Sequence, residues 1–393
     1  MKVLIIHQHF NTPATGGPLR SYYLARALVN AGIEVVVITA RSKAPNLSEN
    51  YEGIDVHYLP IAYENRFGFF KRGASFVRFA IDAARLARKI PNVSICYAVS
   101  VPLTVGQSAI WIQRALGIPF YFEVGDLWPE APIQLGFIKN PLLRKSLYWL
   151  EQRIYSRAKG IVALSESIAE SIRQKSPHTP IVVIPNMADT RFYEMKPKNP
   201  QFEARFGTTG SFVVSYVGAI GYANGLDHYL ECARACKQHG LPVKFILCGD
   251  GALTNHFQNA RKRLGLDNLD IIPFQDREGV RAIMNVSDAT FISYRPEPIL
   301  ETGSPHKYFD GLASGNLIIV NFGGWIKDEI LREQCGFAVE SSNPASFATQ
   351  LRRFLDNPAE LQKYRANARR LAETKYSREL LTKKFVELFD RKF

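Results

Sequence analysis

Twice along this chain, short β-branched runs take turns with amphipathic helical stretches, and the runs lack polar alternation. That repeat limits the fold more than any other feature. In the first half the runs are Val3–Ile6, Val35–Ile38, Ile95–Tyr97, Phe120–Glu123, Gly160–Ala163 and Ile181–Ile184, with helical segments such as Arg20–Asn30, Phe76–Ile90 and Leu142–Arg157 between them. In the second half they are Phe212–Val217, Lys244–Cys248, Leu269–Pro273, Ala289–Ser293 and Leu317–Asn321. A strand that is apolar on both faces must be covered on both, and strand–helix alternation supplies the cover. Each half therefore predicts a parallel sheet flanked by helices. A chain of 393 residues is too long for one core and suits two such domains. The proline-rich polar stretch Pro185–Pro200 reads as their joint. The expected fold class is α/β: two Rossmann-like, doubly wound domains spanning residues 1–187 and 188–377. A final helix, residues 378–393, follows the second block and crosses back to the first.

Composition narrows the function. Apolar residues make up 46% of the chain, enough for large cores and too many for disorder. No apolar run approaches the roughly eighteen residues of a membrane span. The opening Met1-Lys-Val-Leu-Ile-Ile-His lacks a small-residue cleavage site and reads as a first strand rather than a signal peptide. Five scattered cysteines, with Cys232 and Cys236 spaced as helix neighbours and no histidine cluster beside them, predict buried reduced thiols, no metal site and a cytoplasmic protein. Charge is unevenly placed: residues 1–200 hold 24 Lys/Arg against 14 Asp/Glu, the remainder 25 against 22. The first half therefore faces something anionic. Within it, residues 66–89 set Arg66, Lys71, Arg72, Arg78, Arg85, Arg88 and Lys89 against the single acid Asp82.

In open α/β sheets ligands bind beyond the carboxyl ends of the strands, and three loops fall there. In "NTPATGGPLRSYYLARAL", Gly16 and Gly17 let backbone approach a ligand before a helix whose N–H groups suit an anion. Neither dinucleotide nor P-loop spacing is present. In "YFEVGDLWPEAPIQLG", Glu123, Asp126 and Glu130 flank Trp128, a set suited to sugar hydroxyls and an apolar sugar face; the plainer alternative is that Asp126 caps the next helix. In "GSPHKYFDGLASG", Ser304 reads as an N-cap, Pro305 as the first helical residue and Gly315 as the stop. The helix start at Gly303–His306, with Lys307 in its first turn, favours a phosphate. Asp310 lies roughly 9 Å further along at 1.5 Å per residue, the offset of a ribose from its diphosphate. The plainer alternative is a surface pair between Lys307 and Asp310.

These stretches resemble the GT-B glycosyltransferases of the family 4 type, over essentially the whole chain. The resemblance lies in "GGPLRSYYLARAL", "DLWPE", "IPNMADTRFY", "FILCGDG" and above all "SPHKYFDGLASGNLIIVNFGGW". The last looks like the Ser-Pro-Asn-Lys-aromatic-Phe-Asp variant of bacterial surface-polysaccharide enzymes. The resemblance implies two domains facing across a cleft, with a nucleotide-sugar donor, UDP-linked by family habit, held mainly by residues 188–377. It implies an acceptor held mainly by residues 1–187, retention of anomeric configuration, and no metal or other cofactor. In the family an acid of this helix binds the donor ribose, and Asp310 occupies that place. The family's two glutamates eight apart are not both present: Thr302 stands eight before Asp310, so Glu301 or Glu297 takes the first one's role. The basic pair common after the first strand of the second domain is also missing from "VGAIGYANGLD", leaving Lys307, Arg295 or Arg20 to grip the diphosphate.

The expected donor-binding set is thus Gly16, Gly17, Arg20, Glu297, Gly303, Ser304, His306, Lys307 and Asp310, with Asp126 and Glu301 at the reacting sugar. Residues 66–89 suit an anionic lipid surface, which makes a polyprenyl-diphosphate-linked sugar, or another glycan, the expected acceptor. Their alternative is an ordinary covering helix with a solvated face. A sugar-nucleotide epimerase of the same architecture is the rival enzyme. Nucleic-acid binding is disfavoured by the acids of "FEVGDLWPE".

Overall fold

The computed structural model describes residues 1–42, 48–63, 67–340 and 342–390, apart from the side chains of Phe69 and Asp390. Arg66 lies outside the described residues. The chain divides into two compact units. One comprises Met1–Pro185, Thr302–Ser304 and the chain from Glu379 onward; the other comprises Asn186–Glu301 and Pro305–Arg378.

The first unit holds strands β1 Lys2–Ile6, β2 Glu34–Ala40, β3 Ser48–Tyr51, β4 Ile54–Leu59, β5 Ile95–Val99, β6 Phe120–Val124, β7 Gly160–Ala163 and β8 Ile181–Val183. They form one sheet in the order β3-β4-β2-β1-β5-β6-β7-β8. Its helices are α1 Arg20–Asn30, α2 Phe69–Ala87, α3 Thr104–Leu116, α4 Glu130–Gln134, α5 Pro141–Arg157 and α6 Glu166–Lys175. The second unit holds β9 Phe212–Val217, β10 Val243–Cys248, β11 Leu269–Ile272, β12 Ala289–Ile292, β13 Leu317–Val320 and β14 Gly336–Ala338, in the order β11-β10-β9-β12-β13-β14. Around it lie α7 Pro200–Phe206, α8 Asp227–Gln238, α9 Thr254–Arg263, α10 Arg277–Val286, α11 His306–Ala313, α12 Gly324–Arg332, α13 Ala345–Asp356 and α14 Pro358–Thr374. The last helix, α15, spans Arg378–Asp390.

Among the described residues every strand pairing is parallel except β3 with β4. Fully buried strands such as β5, β6 and β7 have both faces covered, which is why their sequences are continuous apolar runs. The β3–β4 hairpin departs from expectation. It lies at the sheet edge, where β4 alternates buried with more exposed positions and β3 is polar throughout, a pattern unlike the two-sided runs. Helix α2 begins at Phe69, ahead of the expected Phe76, so Phe70 and Lys71 belong to its first turn.

Helices α2, α3 and α5 form one layer. Thr104 and Ser108 of α3 donate side-chain hydrogen bonds to the carbonyls of Phe76 and Ala80 on α2, at 3.1 and 3.0 Å. On its other side α3 meets α5: a Cβ on Gly106 would lie 2.5 Å from Ile154, and Gln113 donates to the Arg157 carbonyl at 3.2 Å. Helix α15 packs on the first unit, with Phe385 edge-on to Tyr97 at 4.8 Å and Tyr121 donating to the Leu388 carbonyl at 3.0 Å. All five cysteines are buried and unpaired. Among the described residues no helix is long and apolar enough to cross a membrane.

Both strand orders reverse direction at one point: between β1 and β5 in the first unit, between β9 and β12 in the second. Loops beyond the carboxyl ends diverge there and leave a crevice.

Candidate active site

In the second unit the loops after β9, β10, β12 and β13 are locked together at the reversal point. A Cβ on Gly249, at φ +149°, would fall 1.9 Å from the Gly218 carbonyl oxygen, so only glycine lets the β9 and β10 loops touch. The β12 loop is tied to the β9 loop through the Arg295 N–H to the Ala223 carbonyl, at 3.0 Å. It is tied to the β13 loop through Glu301, whose Oε1 accepts from the Gly323 N–H at 3.1 Å.

Lys307, in the first turn of α11, projects into this junction. Its Nζ donates to the Tyr216 hydroxyl at 2.9 Å and lies 4.3 Å from the centre of that ring and 5.4 Å from the Tyr294 ring. No carboxylate among the described residues forms an ion pair with it. Burial lowers its pKa to about 7. The helix has no acid in its first turn, so its dipole adds to the cation. Three residues on, the Asp310 side chain makes no hydrogen bond among the described residues. Burial raises its pKa to about 7; Arg277 opposes that shift and Asp189 adds to it. Arg277 is paired with Asp189 and stacked on Phe192, 3.5 Å from the ring centre, and Arg378 also meets Asp189 at 2.9 Å. Lys307 and Asp310 do not pair, so the surface ion-pair alternative fails.

Helix α11 starts at His306 with Pro305 in the capping position, its backbone extended, which corrects the expectation of a Ser304 cap and a helical Pro305. Ser304 is buried instead. The stop holds: Gly315, at φ +64°, donates to Leu312 and Asn316 to Gly311, closing a Schellman turn. Gly303 and Ser304 group with the first unit, whereas Glu297, Glu301, His306, Lys307 and Asp310 lie together in the second. Arg295 is paired with Glu297 at 2.8 Å, while the other Glu297 oxygen is buried without a hydrogen bond among the described residues.

In the first unit Gly16 and Gly17, at φ +71° and +85°, turn the loop after β1. Arg20 requires a correction. It is only 6% exposed; its guanidinium straddles Glu123 at 2.9–3.1 Å and donates to the carbonyls of Ile184 and Pro185. Tyr97 donates to the same carboxylate at 2.5 Å. Every Arg20 nitrogen is engaged within the fold, so the cation is unavailable to a diphosphate. Glu130, likewise, accepts from Tyr148 and Gln134, leaving Asp126 as the exposed acid of its loop. Asp126 caps no helix: α4 begins at Glu130 with Pro129 in the cap position. Arg20→Met is expected to cost about 3–5 kcal/mol by leaving Glu123 buried and unpaired. Urea unfolding measures it, and an unchanged midpoint would contradict the ion pair's role.

Sequence reasoning missed the residues that surround Lys307 and Asp310, namely Tyr216, Tyr294, Arg277 and Asp189. It also missed a row of rings beyond β1: His9 lies 4.5 Å from Tyr63, which stacks on Phe76 at 5.5 Å. Burial lowers the His9 pKa to about 4, so the imidazole is neutral. Among the described residues no group of three or more His, Cys, Asp or Glu side chains is arranged to hold a metal ion.

Residues 15–187 match the model of a glycosyl transferase 4-like domain, and residues 198–371 that of the glycosyl transferases group 1. The chain is 24% identical to the 2-deoxystreptamine glucosyltransferase of Streptomyces kanamyceticus, over 92% of this chain and 93% of that one. Among solved structures it is similar to the sucrose-phosphate synthase of Thermosynechococcus elongatus, with a TM-score of 0.79 at 15% identity over 99% and 98% of the two chains. It is also similar to Anabaena HepE in complex with UDP-glucose, with a TM-score of 0.74 at 15% identity over 99% of both.

Proposed function

The chain belongs to the glycosyltransferases of the GT-B, family 4 type, and from that premise we propose that it is a retaining enzyme of surface-polysaccharide synthesis. It moves a sugar from a UDP-linked donor to a glycan or polyprenyl-diphosphate-linked sugar. The observation that carries this reading is the Lys307 ammonium, held by two tyrosines at a dipole-positive helix start and without a carboxylate partner among the described residues. Such a cation suits a group whose negative charge grows during reaction, as that of a leaving diphosphate does. Asp310 accepts the ribose hydroxyls. The likeness to a protein solved with UDP-glucose supports uridine as the base. Asp126 stands near the reacting sugar or the acceptor hydroxyl, and the ring row His9–Tyr63–Phe76 offers the acceptor an apolar platform. No metal takes part.

The test incubates the protein with a nucleotide-sugar panel in EDTA, with and without a membrane lipid extract. Nucleoside diphosphate released only with lipid is the expected result. An altered sugar without acceptor would instead identify an epimerase.

Glu301 touches the donor sugar in this reading, poised by its hydrogen bond from Gly323. Glu301→Gln is expected to lower turnover while sparing affinity for free nucleoside diphosphate. If Glu297→Gln is the inactive variant, the two glutamates exchange roles.

The acceptor brings the enzyme to the inner face of the cytoplasmic membrane as a peripheral protein. On α2 and just past its end, Lys71, Arg78, Arg85, Arg88 and Lys89 are exposed, with Asp82 between Arg78 and Arg85 at 3.5 and 3.4 Å. Changing Arg78, Arg85 and Lys89 to glutamine is expected to weaken binding to anionic vesicles, as does added salt. Unchanged cosedimentation of the triple variant would remove α2 from the contact.

A further inference from the structure

We propose that the N-terminal halves of α2 and α5 together form one docking face for an anionic bilayer, with α5 inserting Leu142, Leu143 and Trp149 and α2 inserting Phe70. The proposal rests on the membrane association read from α2 and extends it to a helix with no part in that reading.

The two helices open alike. Phe69-Phe70-Lys71-Arg72 and Leu142-Leu143-Arg144-Lys145 each set two apolar residues before two cations in the first turns. Neither helix has an acid in its first turn, although the dipole favours one there. The positive helix ends therefore reinforce the side chains instead of being neutralised. From Leu135 to Trp149 the sequence contains Lys139, Arg144 and Lys145 and no acid.

Apolar side chains on the N-terminal halves of these helices, and Phe137 just before α5, face water. Leu142 is 75% exposed, Trp149 58%, Phe137 55% and Phe70 89%. With Val77 and Leu143 they account for six of the eight large apolar side chains exposed among the described residues of the first unit, the others being Met1 and Leu380. Clustered exposure of this kind marks an interaction surface, whereas isolated exposed residues do not.

Topology places both helix starts at one edge of the sheet. Both helices follow strands of one parallel sheet, so both begin at its carboxyl edge, and both pack against α3 in one layer. The contacts with α3 lie at Phe76 and Ala80 of α2 and at Ile154 and Arg157 of α5, so the start of each helix runs on past α3. Apolar tips rimmed by lysine and arginine, with a tryptophan at headgroup depth, fit anionic lipid. A second copy of the chain would bring the same cations against these, so charge disfavours self-association.

The test uses the full chain with phosphatidylcholine vesicles, with or without phosphatidylglycerol, carrying brominated acyl chains. The tryptophans are Trp111, Trp128, Trp149 and Trp325. Anionic vesicles are expected to quench emission, and Trp149→Phe, which preserves an apolar ring, to abolish the quenching while vesicles still cosediment. The double variant Leu142→Ser, Leu143→Ser is expected to weaken partitioning tenfold or more, with its circular dichroism spectrum unchanged. Binding without quenching of Trp149, or binding unaffected by the double variant, overturns the α5 contact and leaves α2 as the membrane site. Failure of the native protein to bind anionic vesicles overturns both. A dimer in sedimentation velocity that the double variant dissolves would make a second copy the occupant and overturn the bilayer.

Discussion

Lys307→Met is expected to lower turnover by about 10²- to 10³-fold, the loss typical of removing one preorganised donor to a developing anion. Methionine keeps the apolar stem against Tyr216 and Tyr294, so the change removes charge with little loss of packing. Because burial sets the empty-site pKa of Lys307 at about 7, diphosphate binding should draw a proton onto the amine. Asp310 titrates at about 7 as well, in the opposite sense, since its carboxylate is the acceptor. Nucleoside-diphosphate affinity is therefore expected to peak near neutrality. It falls on the acid side as Asp310 gains a proton and on the alkaline side as Lys307 loses one. Calorimetry across this range on Lys307→Met should show the acid limb alone. Native turnover with the alkaline limb intact would place the diphosphate elsewhere.

Asp310→Ala is expected to weaken nucleoside-diphosphate binding roughly tenfold to a hundredfold, the worth of charge-assisted hydrogen bonds of about 1.5–3 kcal/mol. A 2′,3′-dideoxy nucleotide should bind the native protein poorly and lose little more in the variant. The two proteins and two ligands form a double-mutant cycle. Additive losses would mean that the carboxylate and the ribose do not meet. The neighbouring Arg277–Asp189 pair gives the cycle a control, because it lies beside Asp310 and has no place in the proposed ribose contact.

What the sequence revealed follows the range of its signals. Two-sided apolar runs mark central strands without reference to anything distant, and β7 and β9 begin and end where the pattern places them. The β3–β4 edge escaped because one-sided strands are mostly polar. At α11, a serine, proline, lysine, aspartate and glycine in fixed order announced a helix with a charged start, and only its cap was misplaced by one residue. Arg20 shows the opposite limit. Beside a glycine turn it looks like an anion ligand, yet the acid that claims it stands 103 residues away on β6. The tyrosines around Lys307 are likewise brought in from β9 and the β12 loop, and no local spacing encodes them.

The return of α15 to Tyr97 and Tyr121 makes the second unit, in chain order, an insertion within the first. A ribosome that has released the chain as far as Pro185 has completed every strand of the first sheet but not the helix that covers part of it. Those aromatic faces await α15 until nearly all of the second unit has emerged. A fragment cut at the joint would carry the same bare patch permanently, so dissecting the protein calls for a graft: α15 joined to Pro185 by a short linker, with the intervening unit removed.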